Sequence, residues 1–208
     1  MTPGRGNPPI NSKTMKIETI EVAGLAGALT ALRLPFGKEV RSGIVAKNKL
    51  LWFVNTDDKS WASNTYEIPG NHIGVDNKDL TLMQTLVKRG DEHAKVVRGI
   101  MVWAKITAPV FFWIEAETYR AGHERLASES TMHIDCKGLS GKELQEAKAA
   151  IPMGKELTKV DMFSYQCLRN IVRQRHDHRL PEWHQFIDWI KTLPLAEELI
   201  FVGLNLEE

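Results

Sequence analysis

The stretch at 96–107, VVRGIMVWAKIT, limits the possible folds of this chain more than any other segment. It is β-branched and apolar at both odd and even positions. Such a run suits a strand buried in the middle of a sheet, with both of its faces covered. Pro109 follows and fits the first turn of a helix, so the sequence predicts a direct passage from this strand into a helix over 109–120.

Strand patterns come first along the chain and helical patterns later, which indicates the α+β class. A strand is predicted from Met15 and a hairpin from 43–46 and 50–54. Helices are predicted over 24–34, 79–89 with Asp79 as the cap, 142–150, 158–175 and from Pro181 onward. The polar segments 55–78 and 121–138 are predicted to be loops.

Composition excludes several kinds of protein. Residues 1–14 are rich in Pro, Gly and Asn, which predicts a flexible arm. The chain length of 208 residues predicts one domain over 15–208. The 27 basic and 26 acidic residues leave no strong field for nucleic acid. Neither a membrane span nor a signal peptide is recognisable, and two cysteines give no disulfide framework, so a cytoplasmic protein is expected.

A charged run, RQRHDHR at 173–179, allows two interpretations. It is either the cation-rich end of a helix or a clamp for phosphate groups. The histidines lack metal-binding spacing, so no metal site is predicted. The aromatic run at 111–113 is typical of a core more than of a platform for stacked bases.

Two segments, at 79–133 and 144–190, together resemble the central and C-terminal blocks of the flavin-dependent thymidylate synthases. The shared features include the strand ending in Ala108-Pro109, the aromatic pair Phe112-Trp113, and Arg120 at the first position of the family's Arg-His-Arg signature. The resemblance implies a mostly antiparallel central sheet with long helices. It also implies one-carbon transfer to C5 of a deoxyuridine monophosphate, with FAD, methylenetetrahydrofolate and NADPH. A homotetramer with sites at subunit interfaces is expected.

The resemblance carries over residue by residue. It assigns the nucleotide to Arg120, Ser130, Lys148, Asn170 and Arg175, with Ser130 also as the catalytic position. Ala121 and Gly122 stand where the signature has His and Arg. Flavin contacts are therefore predicted at Arg98 and at His123 and Arg125, folded back into the vacated space. The alternative is a catalytically altered relative that binds a nucleotide, or a cyclic nucleotide, without redox chemistry.

Overall fold

A computed structural model of the chain describes residues 14–38, 43–46, 49–50, 65–68 and 71–206, with side chains for 14–38 and 74–206. The strands in these residues are β1 (Lys16–Ala23), β2 (Gly43–Ala46), β3 (Lys49–Leu50), β4 (Thr65–Ile68), β5 (Asn71–Gly74), β6 (Met101–Pro109), β7 (His123–Ser128) and β8 (Glu156–Ser164). The α-helices are α1 (Leu25–Arg33), α2 (Asn77–Lys88), α3 (Val110–Ala116), α4 (Thr131–Ile134), α5 (Gly141–Ala149), α6 (Tyr165–Arg175) and α7 (Pro181–Lys191).

The main sheet is antiparallel throughout, with strand order β1-β6-β8-β7. The α+β class and the predicted antiparallel sheet are confirmed, and β6 lies inside the sheet as its sequence requires. It begins at Met101 instead of 96, because Lys95–Arg98 form a 3₁₀ turn. Pairing with β8 can start only where β8 is extended, at the register Met101↔Ser164.

The helix predicted over 158–175 is wrong in its first half. The chain forms β8 up to Ser164 and only then α6, whose first turn is capped by the Ser164 hydroxyl accepting from the backbone N–H of Cys167. β8 pairs with β6 on one edge and β7 on the other. The backbone hydrogen bonds to these two strands outweigh the helical spacing of Val160 and Phe163, which from the local sequence predicts the apolar face of a helix.

Two predicted loops contain regular structure. Within 121–138, β7 pairs with β8 and is followed by the short helix α4, so that prediction is wrong. Within 55–78, β4 and β5 pair with each other and β5 also pairs with β2. β7 and β5 each pair with a strand distant in sequence, which polarity alone does not reveal, whereas β4 pairs locally with β5 across a two-residue connection.

Three smaller predictions concern a hairpin, a helix cap and the N-terminal arm. The hairpin is confirmed at β2 and β3, where Val45 pairs with Leu50, while 51–54 lie outside the described residues. The cap of α2 is Asp76, whose carboxylate accepts from the Lys78 backbone, and not Asp79. Asp79 is instead buried and receives a hydrogen bond from Arg33 Nε at 2.6 Å. The predicted arm lies outside the described residues except for residue 14, and the one-domain prediction stays a prediction.

The core lies between the inner face of the main sheet and helices α3, α6 and α7. Its centre is a set of aromatic rings in mutual contact: Phe112, Trp113, Phe163, Trp183, Phe186 and Trp189. The aromatic run of α3 is thus core at Phe112 and Trp113, as predicted. Among the described helices, none combines the length and the apolar character needed to cross a bilayer.

Candidate functional site

A cleft of about 310 Å³ lies between the segment after α3 and one face of α6. Its walls are formed by Thr118, Tyr119, Arg120, Ala121, Cys167, Asn170 and Gln174. Arg120 and Asn170, two of the residues predicted for a nucleotide, therefore meet here. Cys167, Asn170 and Gln174 follow the three- and four-residue spacing of a helix face, which explains why α6 forms one side of the cleft.

Gly122 holds the end of the segment after α3 against the start of α6. Its backbone has φ of +75°, and its carbonyl oxygen accepts a hydrogen bond from the Ser164 backbone N–H at 2.7 Å. A Cβ atom at this position would stand 2.2 Å from the Ser164 hydroxyl oxygen. The chain path therefore leaves no space for a side chain at 122, where the family signature has arginine.

Arg175 lies behind the cleft and is already engaged. Its Nη1 donates to Glu115 Oε2 at 3.0 Å and its Nε to the Tyr119 hydroxyl at 2.8 Å, while its guanidinium lies 4.8 Å from the Trp183 ring centroid. The same Glu115 oxygen accepts from Trp183 Nε1 and lies 3.3 Å from His178 Nε2. Burial raises the pKa of Tyr119, although its hydrogen bond with Arg175 opposes this. Arg175 thus acts here as a partner of Glu115 and does not line the cleft.

A buried ionic network extends from the cleft into the sheet. Asp161 on β8 has no solvent exposure. Its carboxylate accepts a hydrogen bond from Arg125 Nε at 3.1 Å and lies 2.9 Å from His123 Nε2. The other ring nitrogen of His123 faces the carbonyl oxygen of Tyr119 at 2.9 Å, and the ring stacks on Phe163 at 4.4 Å. Both acceptors are oxygens, so both contacts are hydrogen bonds only when His123 carries two protons or Asp161 carries one.

The network continues at Lys159 and Glu117 beside the Trp113 ring. Lys159 Nζ donates to Glu117 at 3.1 Å and lies 4.5 Å from the Trp113 centroid, and Arg125 also donates to Glu117. Burial lowers the pKa of Lys159. Burial acts to raise the pKa of Glu117, but hydrogen bonds from Lys159 and Arg125 outweigh it, and the net shift is downward. Lys159 can be buried because it has an opposite charge as partner, the half-exposed carboxylate of Glu117.

Ser130 and Lys148 lie together at the far end of β7. Ser130 precedes α4, and its side chain makes no capping hydrogen bond. The next residue, Thr131, accepts a hydrogen bond from Lys148 Nζ through its hydroxyl. Arg120 comes before β7 and Ser130 after it. The six residues of that strand span about 20 Å, so one chain alone does not place Ser130 at the cleft.

A second and larger cavity, of about 560 Å³, lies between α1, the end of α2 and the turn at Lys95–Arg98. Its floor is made of small residues on one face of α1, including Gly27, Ala28 and Ala31. His93 and Lys95 belong to its lining as well. Sequence reasoning missed this cavity, although the three- and four-residue spacing of small side chains on α1 is the signal that could have indicated it.

A hydrogen bond joins the N-terminal half of α6 to the turn beside the larger cavity. Gln166 Nε2 donates to Asp91 at 3.0 Å, in the turn that leads to His93, and Gln166 is one helical turn from Asn170. The Gln166 Oε1 atom is buried and accepts no hydrogen bond. A buried acceptor without a partner is costly, and Gln166 lines neither the cleft nor the larger cavity.

Comparisons with known proteins identify the architecture. Neither a family of known sequences nor a curated protein matches the chain. Among solved structures, thymidylate synthase X (ThyX) from Helicobacter pylori, solved with FAD and dUMP, aligns at a TM-score of 0.59 and 13% identity, over 92% of this chain and 99% of that one. A second structure of the same enzyme, also with FAD and dUMP, gives 0.60 and 12%, over 91% and 99%. The UMP/dUMP methylase PolB from Streptomyces cacaoi, bound with 5-Br dUMP, gives 0.56 and 11%, over 91% and 96%.

The chain has the fold of the flavin-dependent thymidylate synthases. Within this thymidylate synthase fold, the predicted site residues fall into three groups. Arg120 and Asn170 share the cleft, Ser130 and Lys148 share the far end of β7, and Arg175 is held by Glu115.

The residues predicted for the flavin are spread more widely in the thymidylate synthase fold. Arg98 is exposed on the turn that also supplies Lys95 to the larger cavity. His123 and Arg125 are bound to Asp161, so their assignment to a flavin stays a prediction. Within the described residues, no three His, Cys, Asp or Glu side chains converge as metal ligands would.

Proposed function

We propose that this protein is a transferase that binds a pyrimidine nucleoside monophosphate in the cleft and a flavin in the larger cavity, and adds a one-carbon unit to C5 of the base. The observation that carries the proposal is the presence of two separate spaces in one fold: a nucleotide-sized cleft on α6 and a larger, mainly apolar cavity beside α1. Solved proteins of the same fold hold FAD and dUMP, which supports the assignment.

The nucleotide occupies the smaller cleft. Its volume of about 310 Å³ lies at the lower end of the range for small-molecule sites. That is enough for one nucleotide and too little for a dinucleotide cofactor. Arg120 is exposed at the rim, and its forked donors match phosphate oxygens bidentately. Arg120 therefore holds the phosphate, while Asn170 and Gln174 face the base.

The larger cavity fits a flavin. Its volume of about 560 Å³ lies in the range of small-molecule sites, and the small residues Gly27, Ala28 and Ala31 leave room for a fused ring system against α1. Lys95 brings a cation for a phosphate group, and a Cβ added at Gly27 would meet nothing within 4 Å. When bound, a reduced flavin supplies the hydride that completes a methyl group, with methylenetetrahydrofolate as the one-carbon donor and NADPH as reductant. The chain's own residues position the two ligands and exclude water.

The complete site needs a second copy of the chain. Ser130 and Lys148 lie one strand length from Arg120, so a homo-oligomer, expected to be a tetramer, has to bring the two groups together at a subunit interface. Ser130 then supplies a free hydroxyl next to the base, and Lys148 adds a second cation near the phosphate.

Blocking the cavity tests the flavin half of the proposal. Gly27→Leu places a side chain in the open space and removes a glycine from a helix, which stabilises the helix by about 1 kcal/mol. We expect reconstituted wild-type protein to retain flavin absorbance on a desalting column, and Gly27→Leu to lose it without a lower Tm. Thr30→Leu, at an exposed position of the same helix that does not line the cavity, is the matched control and should retain flavin. Equal retention by Gly27→Leu would place the flavin elsewhere.

Nucleotide binding is tested separately by thermal shift. Because a ligand at a hundred times its Kd adds about 2.7 kcal/mol, dUMP should raise the Tm of wild-type protein by several degrees. Arg120→Ala should reduce this shift. No shift with any pyrimidine monophosphate would reject the proposal.

A second candidate function is nucleotide binding without redox chemistry. One observation favours it: Ala121 and Gly122 replace the signature's His and Arg, and the backbone at Gly122 leaves no room for a side chain. A protein that responds to dUMP and never retains flavin would belong to this second class.

A further inference from the structure

Asn170 and Gln174 present two carboxamide groups to the cleft. They stand four residues apart on α6, so both face the segment that carries Arg120. Carboxamides pair with the hydrogen-bonding edges of nucleobases because they carry both a donor and an acceptor. Which base the cleft accepts, given the proposed nucleotide site, therefore depends on how these amides are oriented.

A neighbour on the same helix donates a hydrogen bond to the Asn170 amide. Arg173 Nη2 lies 3.2 Å from Asn170 Oδ1. A guanidinium has only donors, so the oxygen of the amide must face Arg173. The Nδ2 group, with two N–H donors, is the part of Asn170 left for a ligand in the cleft.

A group that only donates distinguishes uracil from cytosine. Uracil carries a carbonyl oxygen at C4, which accepts, whereas cytosine carries an amino group there, which donates. The Asn170 Nδ2 group complements the first and opposes the second. Gln174 forms no hydrogen bond within the described part of the chain, so its amide can turn to accept from the N3–H of uracil.

We infer that Asn170, with its amide oriented by Arg173, selects uracil nucleotides over cytosine nucleotides in this cleft. Asn170 contacts the base directly. Arg173 acts through Asn170 and is a positioning residue. The inference rests on the proposed nucleotide site and adds the chemical basis of its base preference.

Calorimetric titration with UMP and with CMP tests this. Wild-type protein should favour UMP by about tenfold, the effect of one mismatched hydrogen bond. Asn170→Asp presents only acceptors, which suit the cytosine amino group, so the preference should reverse. Arg173→Ala frees the amide to rotate and should bring the ratio towards one. Arg173→Lys still donates and should keep the preference, as should Arg179→Ala, which removes an exposed cation outside the cleft.

The outcomes separate the inference from the proposed function. If wild-type protein binds UMP and CMP equally, or if Asn170→Asp still prefers UMP, the base assignment is overturned while the nucleotide site stands. Binding of neither nucleotide at millimolar concentration would reject the site itself. Near-ultraviolet circular dichroism of each variant, together with the CMP affinity of Asn170→Asp, shows that an altered ratio does not come from misfolding.

Discussion

Gly122 shows how one backbone position limits which side chains the segment after α3 can carry. Its carbonyl bonds to the start of α6, and its left-handed backbone brings it against Ser164. The flavin-side arginine of the family signature cannot simply be restored here, because any side chain would enter the space of the Ser164 hydroxyl.

Gly122→Ala should destabilise the protein by about 2–4 kcal/mol, since a left-handed backbone strains a non-glycine residue and the new Cβ overpacks the Ser164 contact. Urea denaturation measures the loss. Gly138→Ala is the matched control: Gly138 has φ of +82° but open space around it, so only the backbone strain remains. Equal losses in the two variants would show that the contact with Ser164 has no effect.

Cys167 lines the cleft, yet its thiol is expected to be unreactive. Burial raises the pKa of Cys167 to about 12. At pH 8 only about one thiol in ten thousand is then ionised, and the thiolate is the reactive form. The rate of iodoacetamide labelling in native protein should rise about tenfold per pH unit through pH 10, without levelling near 8.5.

Peptide mapping after timed labelling separates Cys167 from Cys136. The raised pKa of Cys167 also makes the free energy of unfolding depend on pH. The thiol of the unfolded chain ionises near pH 9, so the stability that comes from burying the neutral thiol is complete below pH 9 and is lost as the pH rises towards 12. Native labelling of Cys167 at pH 8 as fast as in urea would contradict its burial.

At the scale of elements, the junction of β8 and α6 marks the boundary of what the sequence predicts. β6, α3 and α7 were predictable because apolar periodicity and proline positions are local signals. β8 was not, because it points Lys159 and Asp161 into the protein. Those inward charges are possible only because Glu117, His123 and Arg125 meet them, and no local pattern indicates partners so distant in sequence.

The capping hydroxyl at this junction can be tested directly. Ser164→Ala removes the acceptor for the Cys167 N–H and should cost about 1 kcal/mol in the free energy of unfolding. Ser140 also precedes a helix, α5, but makes no side-chain capping bond, so Ser140→Ala should be close to neutral. Urea denaturation of both variants compares them. Similar small effects would mean that α6 does not depend on its cap.

At the scale of the whole molecule, the assignment of residues to a nucleotide stays a prediction, whereas the structure shows how those residues are grouped. The resemblance assigned Arg120, Ser130, Lys148, Asn170 and Arg175 to one nucleotide pocket. The fold divides them between the two ends of β7, because a strand and not a loop connects Arg120 to Ser130. The flavin-sized cavity was not predicted at all, since small residues on α1 form a cavity only when α2 and the turn at Lys95–Arg98 pack beside them.

The separation of Arg120 from Ser130 predicts that two inactive variants can restore each other's sites in a mixed assembly. If each site takes Arg120 from one copy and Ser130 from another, Arg120→Ala and Ser130→Ala should each reduce nucleotide turnover strongly as pure variants. Mixed assemblies of the two, formed by unfolding and refolding together, place both changes in one site and leave a neighbouring site fully native. About a quarter of all sites should then recover wild-type character, as the symmetry of a shared interface requires. Recovery is measured as specific activity, or as bound dUMP per chain, against the unmixed variants refolded in parallel. Sites contained within single chains would show no gain on mixing, and light scattering of the same samples would tell whether the chains are then monomers or assemblies that do not share a site.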